Sequence, residues 1–531
     1  MFAKLHKRVK RFVKDLPFMQ EAVWTVKWYG SGEVAPYNGR WDRLQSWLIE
    51  LDVAPAAHIA TDRRNVLVFG TPGFADYLMA VSVVLAARGC EIDYVWLGHL
   101  DPAGNPDVTR FERWSEKFPV PPGHDRLRIH RVHDTPPAEC DEEMVALARR
   151  IAELDTCHIR CKEVCEEQTD PGDNHVFEFR LARNLDFLRR LKTFLVGRHY
   201  ASALCGNGRV WEMACFYEWV RRAGIPCTTM EMFEMGRSII ASQTQVVVDC
   251  LTEAIWKADE PHLLTPERER RVLERIAFRE DPNRQSDHAP KLQTVPPDTA
   301  ALCKKLQLDP ARRTALLCTN VAWDSSVLGH GRAFPTMKEW YLRTIAWYAD
   351  RVGWQLIVRT HPLEGLVDQP MSVSDYIDEH YPELPPNVRL VRPTDKVNTY
   401  GLLPIIDLGL VFTSTVGLEM AIRGLPVITA GWIHYDRKGF TKDPTSEGEY
   451  FCLLEEADHS ARRLPDMLRD LARCYFDVYF EKWARPTPWG MWDMARDMEN
   501  WPMARILAGD CPEEFLKTFD YLAGRHDLGV L

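Results

Sequence analysis

Short apolar runs alternate with longer amphipathic stretches along most of the chain. The first clear run is Asn65–Phe69, which we interpret as a buried strand; a glycine-bearing turn over 70–76 and a helix over 77–88 follow, and a second strand begins near Ile92. A strand, turn, helix and strand within about 30 residues is typical of a βαβ unit in a parallel sheet. The glycines of the turn lack the spacing of a dinucleotide-binding fingerprint, so no nicotinamide cofactor is predicted.

A second passage of the same kind lies between residues 200 and 231. A short strand over 200–205 ends in the turn 206–209, a helix covers 210–223, and a strand over 227–230 is followed directly by Glu231. Because ligands of parallel sheets bind beyond the carboxyl ends of the strands, the turns of both passages are candidate binding segments. We predict one Rossmann-like domain over residues 64–255.

A third stretch of alternating elements follows a change in composition. Residues 256–312 are rich in proline and charged side chains, and we interpret them as an exposed interdomain linker around a short helix. Apolar runs then predict five strands, over 314–318, 355–359, 388–391, 408–412 and 426–429. We assign them to a second Rossmann-like domain over 313–455, followed by helices over 456–531. The predicted fold class is α/β, with two doubly wound domains facing a cleft and extra helices at both termini.

Residues 1–63 are predicted to form a basic amphipathic helix and a connecting segment. Apolar side chains repeat at helical spacing over the first sixteen residues, and lysines and arginines occupy most of the other positions. Such a helix suits an anionic membrane surface, with its apolar stripe inserted and its cations on the head groups. Docking on the protein itself explains the same pattern equally well, and both interpretations stay open.

Composition excludes some classes of function. The chain has 531 residues and a net charge of −10, which argues against general nucleic-acid binding. No run approaches the about 18–20 apolar residues of a membrane span. Fourteen cysteines without a regular disulfide framework, and no signal peptide, predict a cytoplasmic protein. Cys157, Cys161 and Cys165 would share one helix face, but their rise along a helix would keep three thiolates from converging on one metal ion, so no metal site is predicted.

The strongest candidate for ligand binding follows the fourth strand of the second domain. Thr413, Ser414 and Thr415 precede a helix that contains Gly417 and, one turn later, Glu419. Hydroxyls and unpaired backbone N–H groups at a helix start favour an anion such as a phosphate. Gly417 would let a ligand approach the backbone closely, and Glu419 would accept hydrogen bonds from ribose hydroxyls. N-capping by Ser414 or Thr415 explains the same residues without any ligand.

His361, Pro362 and Glu364 follow the second strand of the same domain. An imidazole can donate to a phosphate oxygen, and protonation would strengthen that contact as a leaving nucleotide gains charge. Pro362 fixes the turn that orients His361, and Glu364 is a candidate for the same ligand. A histidine after a strand is frequently structural, but both segments follow strands of one sheet, which would bring them together.

The combination of these motifs resembles known families. His361-Pro362 with Thr413-Ser414-Thr415 is similar to the paired His-Pro and Ser/Thr motifs of bacterial sialyltransferases and Kdo transferases, in which the two motifs hold the nucleotide phosphate. The longer pattern resembles the capsule polysaccharide biosynthesis family, with TSTVGLE, RGLPV, the loop 319–324 (TNVAWD) and a Tyr-x-x-Lys-Gly-Phe-Thr-x-Asp stretch from Tyr435 to Asp443. The resemblance covers residues 314–451 well and residues 64–255 only in outline.

The resemblance implies a metal-independent glycosyltransferase of the two-domain GT-B fold. Its second domain would bind a nucleotide-sugar through His361 and the segment from Thr413 to Glu419. Asp324 and Arg332, on the loop after the first strand of that domain, would contact the sugar or the phosphate. The expected partners are the nucleotide-sugar, a surface-polysaccharide or lipid-linked glycan acceptor and the inner face of a membrane.

The acceptor side depends on the stereochemical course, which the sequence leaves open. A transferase that inverts the anomeric centre needs a base in the first domain to deprotonate the acceptor hydroxyl. Asp76, on the loop that also carries Gly73, is the first candidate for that base, with Glu212 and Glu231 in reserve. A retaining transferase needs no single base of this kind.

Three other functions fit the same sequence. A nucleotide-sugar 2-epimerase would convert a UDP-sugar without an acceptor, and a polyol-phosphate polymerase would need CDP-activated glycerol or ribitol. A non-catalytic component of a capsule assembly complex would bind nucleotide without turnover. The donor base, the sugar and the linkage are not predicted.

Overall fold

The computed structural model describes residues 35–54, 63–71, 73–97, 123–233, 238–281, 298–367, 369–460, 462–491 and 494–525. These residues divide into two compact units, each built around its own sheet. The first unit holds residues up to Ile159, Cys165–Val248 and the chain from Ala484 on, and the second holds Arg160–Val164 and Asp249–Trp483. The basic helix predicted over 1–16 lies outside the described residues.

The first unit contains a mainly parallel sheet in the Rossmann strand order 3-2-1-4-5. Five parallel strands and a sixth, antiparallel one come first in the chain: β1 (Asn65–Gly70), β2 (Glu91–Trp96), β3 (Leu127–Arg131), β4 (Ser202–Gly206), β5 (Cys227–Phe233) and β6 (Ser238–Ser242). The helices of this part are α1 (Ala35–Val53), α2 (Ala75–Ala87), α3 (Glu142–Arg160), α4 (Pro171–Leu195) and α5 (Trp211–Arg222). β1 and β4 are buried almost throughout, as their continuous apolar runs predict for strands covered on both faces.

The second unit repeats this strand order in a five-stranded, all-parallel sheet. Its strands are β7 (Arg313–Cys318), β8 (Trp354–Arg359), β9 (Val388–Val391), β10 (Leu408–Val411) and β11 (Val427–Thr429). Its helices are α6 (Glu253–Ala258), α7 (Pro266–Glu280), α8 (Thr299–Lys305), α9 (Met337–Ala349), α10 (Val373–His380), α11 (Val416–Ala421), α12 (Glu447–Ala457) and α13 (Asp466–Asp477), and a π-helical turn over Val478–Trp483 follows. The predicted α/β class with two Rossmann-like units is therefore confirmed.

The end of the chain returns to the first unit. β12 (Arg485–Pro486) pairs antiparallel with β6, and α14 (Met494–Asn500), α15 (Met503–Leu507) and α16 (Glu513–Leu522) follow it. Tyr77 of α2 and Thr487 share a buried 2.8 Å hydrogen bond, and Ser202 donates to the carbonyl of Ala523 at 2.7 Å. The residues after 484 therefore complete the first sheet, whereas the sequence predicted a separate group of helices over 456–531.

The predicted linker over 256–312 is largely helical where the structure describes it. Its charged composition has a structural reason, because Arg268 and Arg271 of α7 both pair with the buried carboxylate of Asp477 in α13. The arginines thus stabilise the packing of α7 on α13. This part of the chain is therefore a packed helix and not a solvated linker.

The three cysteines near residue 160 do not share a helix face. α3 ends at Arg160, and Cys161 adopts a left-handed backbone with φ of 54°. Cys157 contacts Cys165 instead, and this hydrogen bond together with burial raises the pKa of the Cys157 thiol. All fourteen cysteines lie in the described part of the chain, and none forms a disulfide bond.

Among the described residues, no helix has the length and apolar character needed to cross a membrane.

Candidate functional site

Three polar loops follow neighbouring strands of the second sheet. The order β10-β7-β8 places the end of β7 between the other two strand ends. Thr319 and Asn320 follow β7, His361 follows β8, and Thr413 and Ser414 follow β10. Adjacent strands lie about 4.8 Å apart, so the loops after β8 and β10 start about 10 Å from each other, with the β7 loop in the gap. The structure thus brings the two predicted motifs to one edge of one sheet.

This edge contains the switch point of the sheet. In the strand order 3-2-1-4-5, the chain changes direction across the sheet between strands 1 and 4, which here are β7 and β10. Parallel α/β sheets bind their ligands in the crevice beyond the carboxyl ends of the strands at such a point. The carboxyl edge at β7, β10 and β8, which we call the switch-point site, is therefore the candidate ligand site of the second unit.

His361 is a neutral hydrogen-bond donor in this site. Its Nδ1 accepts the backbone N–H of Leu363 at 3.2 Å at the start of a short turn over Pro362–Gly365, so the neutral ring carries its proton on Nε2. Burial lowers the pKa of His361 to about 4, although the carboxylate of Asp324 acts in the opposite direction.

Asp324 shapes the loop after β7. Its Oδ1 accepts hydrogen bonds from the backbone N–H and the hydroxyl of Ser326, both at 2.8 Å. The backbone N–H groups of Val327 and Leu328 donate to its carbonyl oxygen. The carboxylate thus holds a turn of the loop after β7.

The hydroxyls after β10 are not used for helix capping. Thr415 is the N-cap residue of α11 and makes no side-chain capping bond, and the hydroxyl of Ser414 accepts only a long 3.5 Å contact from the N–H of Val416. The Oγ1 of Thr413 is buried and has no hydrogen-bond partner among the described residues. The explanation of this segment as a plain N-cap is therefore not what the structure shows. The hydroxyls of the half-buried Ser414 and Thr415 have no close hydrogen-bond partner among the described residues.

Gly417 and Glu419 have other roles than those predicted. A Cβ at Gly417 would lie 2.2 Å from the hydroxyl of Tyr435, which donates to the carbonyl of Ser414 at 2.7 Å. The glycine therefore admits Tyr435 rather than a ligand. The buried Glu419 accepts from Arg279 at 2.6 Å and from Tyr400 at 3.3 Å, so its carboxylate is held by the protein where ribose hydroxyls were predicted.

Arg332 and Glu364 also stabilise the fold. The side chain of Arg332 is buried, and its guanidinium donates to the carbonyls of Pro444 and Thr429 and to Asp436, so its charge is neutralised inside the protein. Glu364 is buried and accepts the N–H of Val373, at the start of α10, at 3.2 Å, and burial raises its pKa to about 7. Neither side chain presents the free charge that donor binding was predicted to use.

The stretch from Tyr435 to Asp443 is hydrogen-bonded to β11 and to the loop after β10. Asp443 accepts hydrogen bonds from Thr429 at 2.7 Å, from Thr441 at 2.8 Å and from the backbone N–H of Arg437 at 2.8 Å. These bonds fix the stretch to the end of β11, and Tyr435 fixes it to Ser414. Its residues thus position the loop after β10.

The predicted acceptor-side residues differ in their surroundings. Asp76 lies in the first turn of α2 and pairs with Arg43 at 3.2 Å, and a side chain at Gly73 would meet open space. Glu212 is buried and pairs with Arg180 at 3.0 Å, so it is a structural partner of that arginine rather than a free base. Glu231 lies inside β5, which extends to Phe233, and accepts from Asn207 at 2.9 Å.

Sequence reasoning missed Thr319 and Asn320 as site residues. Asn320 accepts the backbone N–H of Thr413 at 3.2 Å and so ties the loop after β7 to the loop after β10. The signal was present, because a Thr-Asn pair directly after a buried strand places two polar side chains at the carboxyl edge of a parallel sheet.

One family model matches part of the chain. Residues 293–461 match the model of the family described as capsule polysaccharide biosynthesis protein, and this range contains all three loops. No curated protein matches the chain.

Solved structures show a weak overall likeness. A β-Kdo 2,4-transferase, KpsC of Thermosulfurimonas dismutans, is 14% identical with a TM-score of 0.33 over 54% of this chain and 82% of that chain. Sucrose-phosphate synthase of Thermosynechococcus elongatus is 13% identical with a TM-score of 0.27 over 85% and 100% of the two chains. The UDP co-structure of S. aureus MnaA is 10% identical with a TM-score of 0.29 over 77% and 91%. Likeness at these scores does not bear on the chemistry of the site.

Proposed function

We propose that this chain, whose residues 293–461 match the capsule polysaccharide biosynthesis family, is a glycosyltransferase that moves a sugar from a nucleotide-sugar to a surface-glycan or lipid-linked acceptor. The observation that supports this most is the cluster of hydrogen-bond donors at the switch-point site. His361 and the hydroxyls of Thr413, Ser414 and Thr415 lie where a parallel sheet binds its ligand, and none of these hydroxyls makes a close hydrogen bond to the described protein. Such a set of donors suits the phosphate of a nucleotide.

In this proposal His361 assists departure of the nucleotide. Its Nε2–H donates to a phosphate oxygen, and the hydroxyls of Ser414 and Thr415 donate to others. As the bond to the sugar breaks, negative charge grows on the phosphate, and donors fixed in advance stabilise that charge more than the starting state. A bound phosphate beside Asp324 adds negative charge near the ring, which raises the pKa of His361 only when ligand is present.

The acceptor hydroxyl requires a separate group if the reaction inverts the anomeric centre. Asp76 remains our candidate for this base, because it is partly exposed at the carboxyl end of β1 and its partner Arg43 is also solvent-accessible. Glu212 is withdrawn, because it is enclosed with Arg180.

Nucleotide binding tests the site directly. Thermal unfolding of the purified protein is followed with CMP, CDP, UDP, GDP and the matching sugar nucleotides. A ligand that binds only the folded state adds about 2.7 kcal/mol of stability at one hundred times its dissociation constant, so the correct nucleotide raises the midpoint. His361→Ala and Ser414→Ala abolish most of this shift, and Ser460→Ala, an exposed serine of the same unit, leaves it unchanged. No shift with any nucleotide at millimolar concentration would overturn the assignment of the site.

A further inference from the structure

The gap between the two phosphate-binding loops is occupied by a residue with an unused hydrogen-bond donor. A bound nucleotide phosphate that contacts both His361 after β8 and Ser414 after β10 would lie over the end of β7, because β7 lies between those strands. The residues at that end are Thr319 and Asn320.

The orientation of the Asn320 amide is fixed by its neighbour. The backbone N–H of Thr413 donates to Oδ1 of Asn320 at 3.2 Å. A flipped amide would place two N–H groups face to face, so this bond also determines where Nδ2 points. The Nδ2 group makes no hydrogen bond to the described residues and is not enclosed, since the side chain is half-buried. Asn320 thus presents two N–H donors at the switch point.

Buried hydroxyls on both sides of Asn320 point to a ligand as well. Thr319 is 2% exposed and Thr413 is 5% exposed, and the Oγ1 atoms of both lack a hydrogen-bond partner among the described residues. Unpaired buried hydroxyls are rare in folded proteins because each one costs free energy. Two of them on adjacent strand ends, beside an unused amide, indicate a place built to receive an acceptor-rich group.

We propose that Asn320 is a phosphate-binding residue of the donor site, in which the Oδ1 bond to Thr413 positions the amide and the Nδ2–H group donates to a phosphate oxygen of the nucleotide. This inference rests on the proposed function and adds a third loop to the two that the motifs indicate. The strand order places the loops after β7 and β10 side by side, so one phosphate oxygen at the switch point would contact both loops.

The two halves of the amide can be tested separately. Asn320→Asp keeps an oxygen that accepts the Thr413 N–H but replaces the donor with a negative charge. Asn320→Ala removes both, and Asn174→Asp, at an exposed asparagine of α4, is the control for the added charge. For each variant, dissociation constants are measured for the nucleotide that binds the wild-type protein and for its nucleoside. The ratio of the two constants isolates the phosphate contribution and cancels general damage to the fold.

We expect Asn320→Asp to keep the unliganded melting midpoint and to reduce the phosphate contribution at least tenfold, with a smaller loss in Asn320→Ala. A wild-type ratio in either folded variant would overturn the inference while leaving the proposed function intact. If the wild-type protein binds no nucleotide, the proposed function fails, and this inference fails with it.

Discussion

We expect two threonine hydroxyls at the switch-point site to lower the stability of the free protein. Thr319 and Thr413 are buried without partners among the described residues, and an unsatisfied buried hydroxyl costs about 1–3 kcal/mol. In our account a bound nucleotide offsets this cost, directly or through an ordered water.

The substitutions Thr319→Val and Thr413→Val keep the shape of the side chain and remove the hydroxyl. They should therefore affect the free energy of unfolding and the nucleotide affinity in different ways. We expect the free energy of unfolding to stay the same or to rise by up to about 1 kcal/mol, while nucleotide affinity falls. Urea unfolding and calorimetric titration measure the two effects. Loss of stability without loss of affinity would show that the hydroxyls serve the fold.

His361 makes the stability of the protein sensitive to acid. Its pKa is about 4 in the folded protein, below the ordinary value of 6.5 that applies when the chain is unfolded. As the pH falls below 6.5, the unfolded state takes up a proton that the folded state refuses until about pH 4, so stability is lost across this range. His361→Asn retains an acceptor for the Leu363 N–H and does not titrate, so it should remove about 1–3 kcal/mol of the loss between pH 7 and pH 4. Urea unfolding at both pH values measures it, and equal losses in the two proteins would contradict the shift.

Single residues were predictable where local sequence decides their position. The His361 and Thr413–Thr415 segments follow apolar strands directly, so parallel-sheet geometry places them at one edge. Arg332 and Glu419 were assigned to the donor and Glu212 to the acceptor side. Each instead pairs with a side chain of opposite charge elsewhere in the chain, namely Asp436, Arg279 and Arg180. A charged residue beside a strand end therefore cannot be assigned to a ligand until its ion-pair partners elsewhere in the chain are known.

Helix α9 begins with a cap from a distant part of the chain. Both carboxylate oxygens of Glu163 accept backbone N–H groups, from Met337 and from Lys338, and Thr336 accepts the next one from Glu339. The first three N–H groups of the helix are therefore all satisfied. Burial raises the pKa of Glu163 to about 7, which the bonds to the helix oppose.

Glu163→Ala should destabilise the second unit by about 1–2 kcal/mol, because it leaves two N–H groups at the helix start without acceptors. Glu339→Ala removes an exposed acidic residue from the same turn and serves as the matched control, with an expected change within about 0.5 kcal/mol. Urea unfolding of the two variants compares them. Equal effects would mean that Glu163 acts through the charge of the helix start and not through the two bonds.

Elements were predictable in proportion to their burial. The interior strands β1, β7 and β8 are continuous apolar runs, and their predicted bounds lie within one residue of the observed ones. β3 alternates little and is mostly accessible, and β12 has only two residues, so neither has a hydrophobic pattern that would identify it. The left-handed Cys161 stops α3 at a point where the cysteine spacing still predicted helix.

At the scale of the whole molecule, the first unit is completed by the last part of the chain. Trp489 and Phe519 are fully buried in its core, and β12 covers the edge of β6. Sequence patterns assigned the residues after 455 to separate helices, because the contacts that join them to α2 and β4 span more than 300 positions.

A chain that ends at Trp483 should therefore lose the cooperative unfolding of the first unit. Limited proteolysis with mass analysis would show cleavage in residues before Val248, while the unit over Asp249–Trp483 stays resistant. Phe519→Ala is the milder version, with an expected loss of about 3–5 kcal/mol from the cavity it leaves. Uniform resistance of the shortened chain would show that the returning segment is dispensable.

The central claim is sugar transfer, and the most direct measurement follows both products at once. The protein is incubated with the sugar nucleotide that binds it and with a surface-glycan acceptor, and mass spectrometry follows the acceptor and the nucleotide. Our account predicts one nucleotide released for each sugar added to the acceptor, with the rate greatly reduced in His361→Ala. Conversion of the sugar nucleotide to an epimer without acceptor, or binding without any turnover, would contradict it.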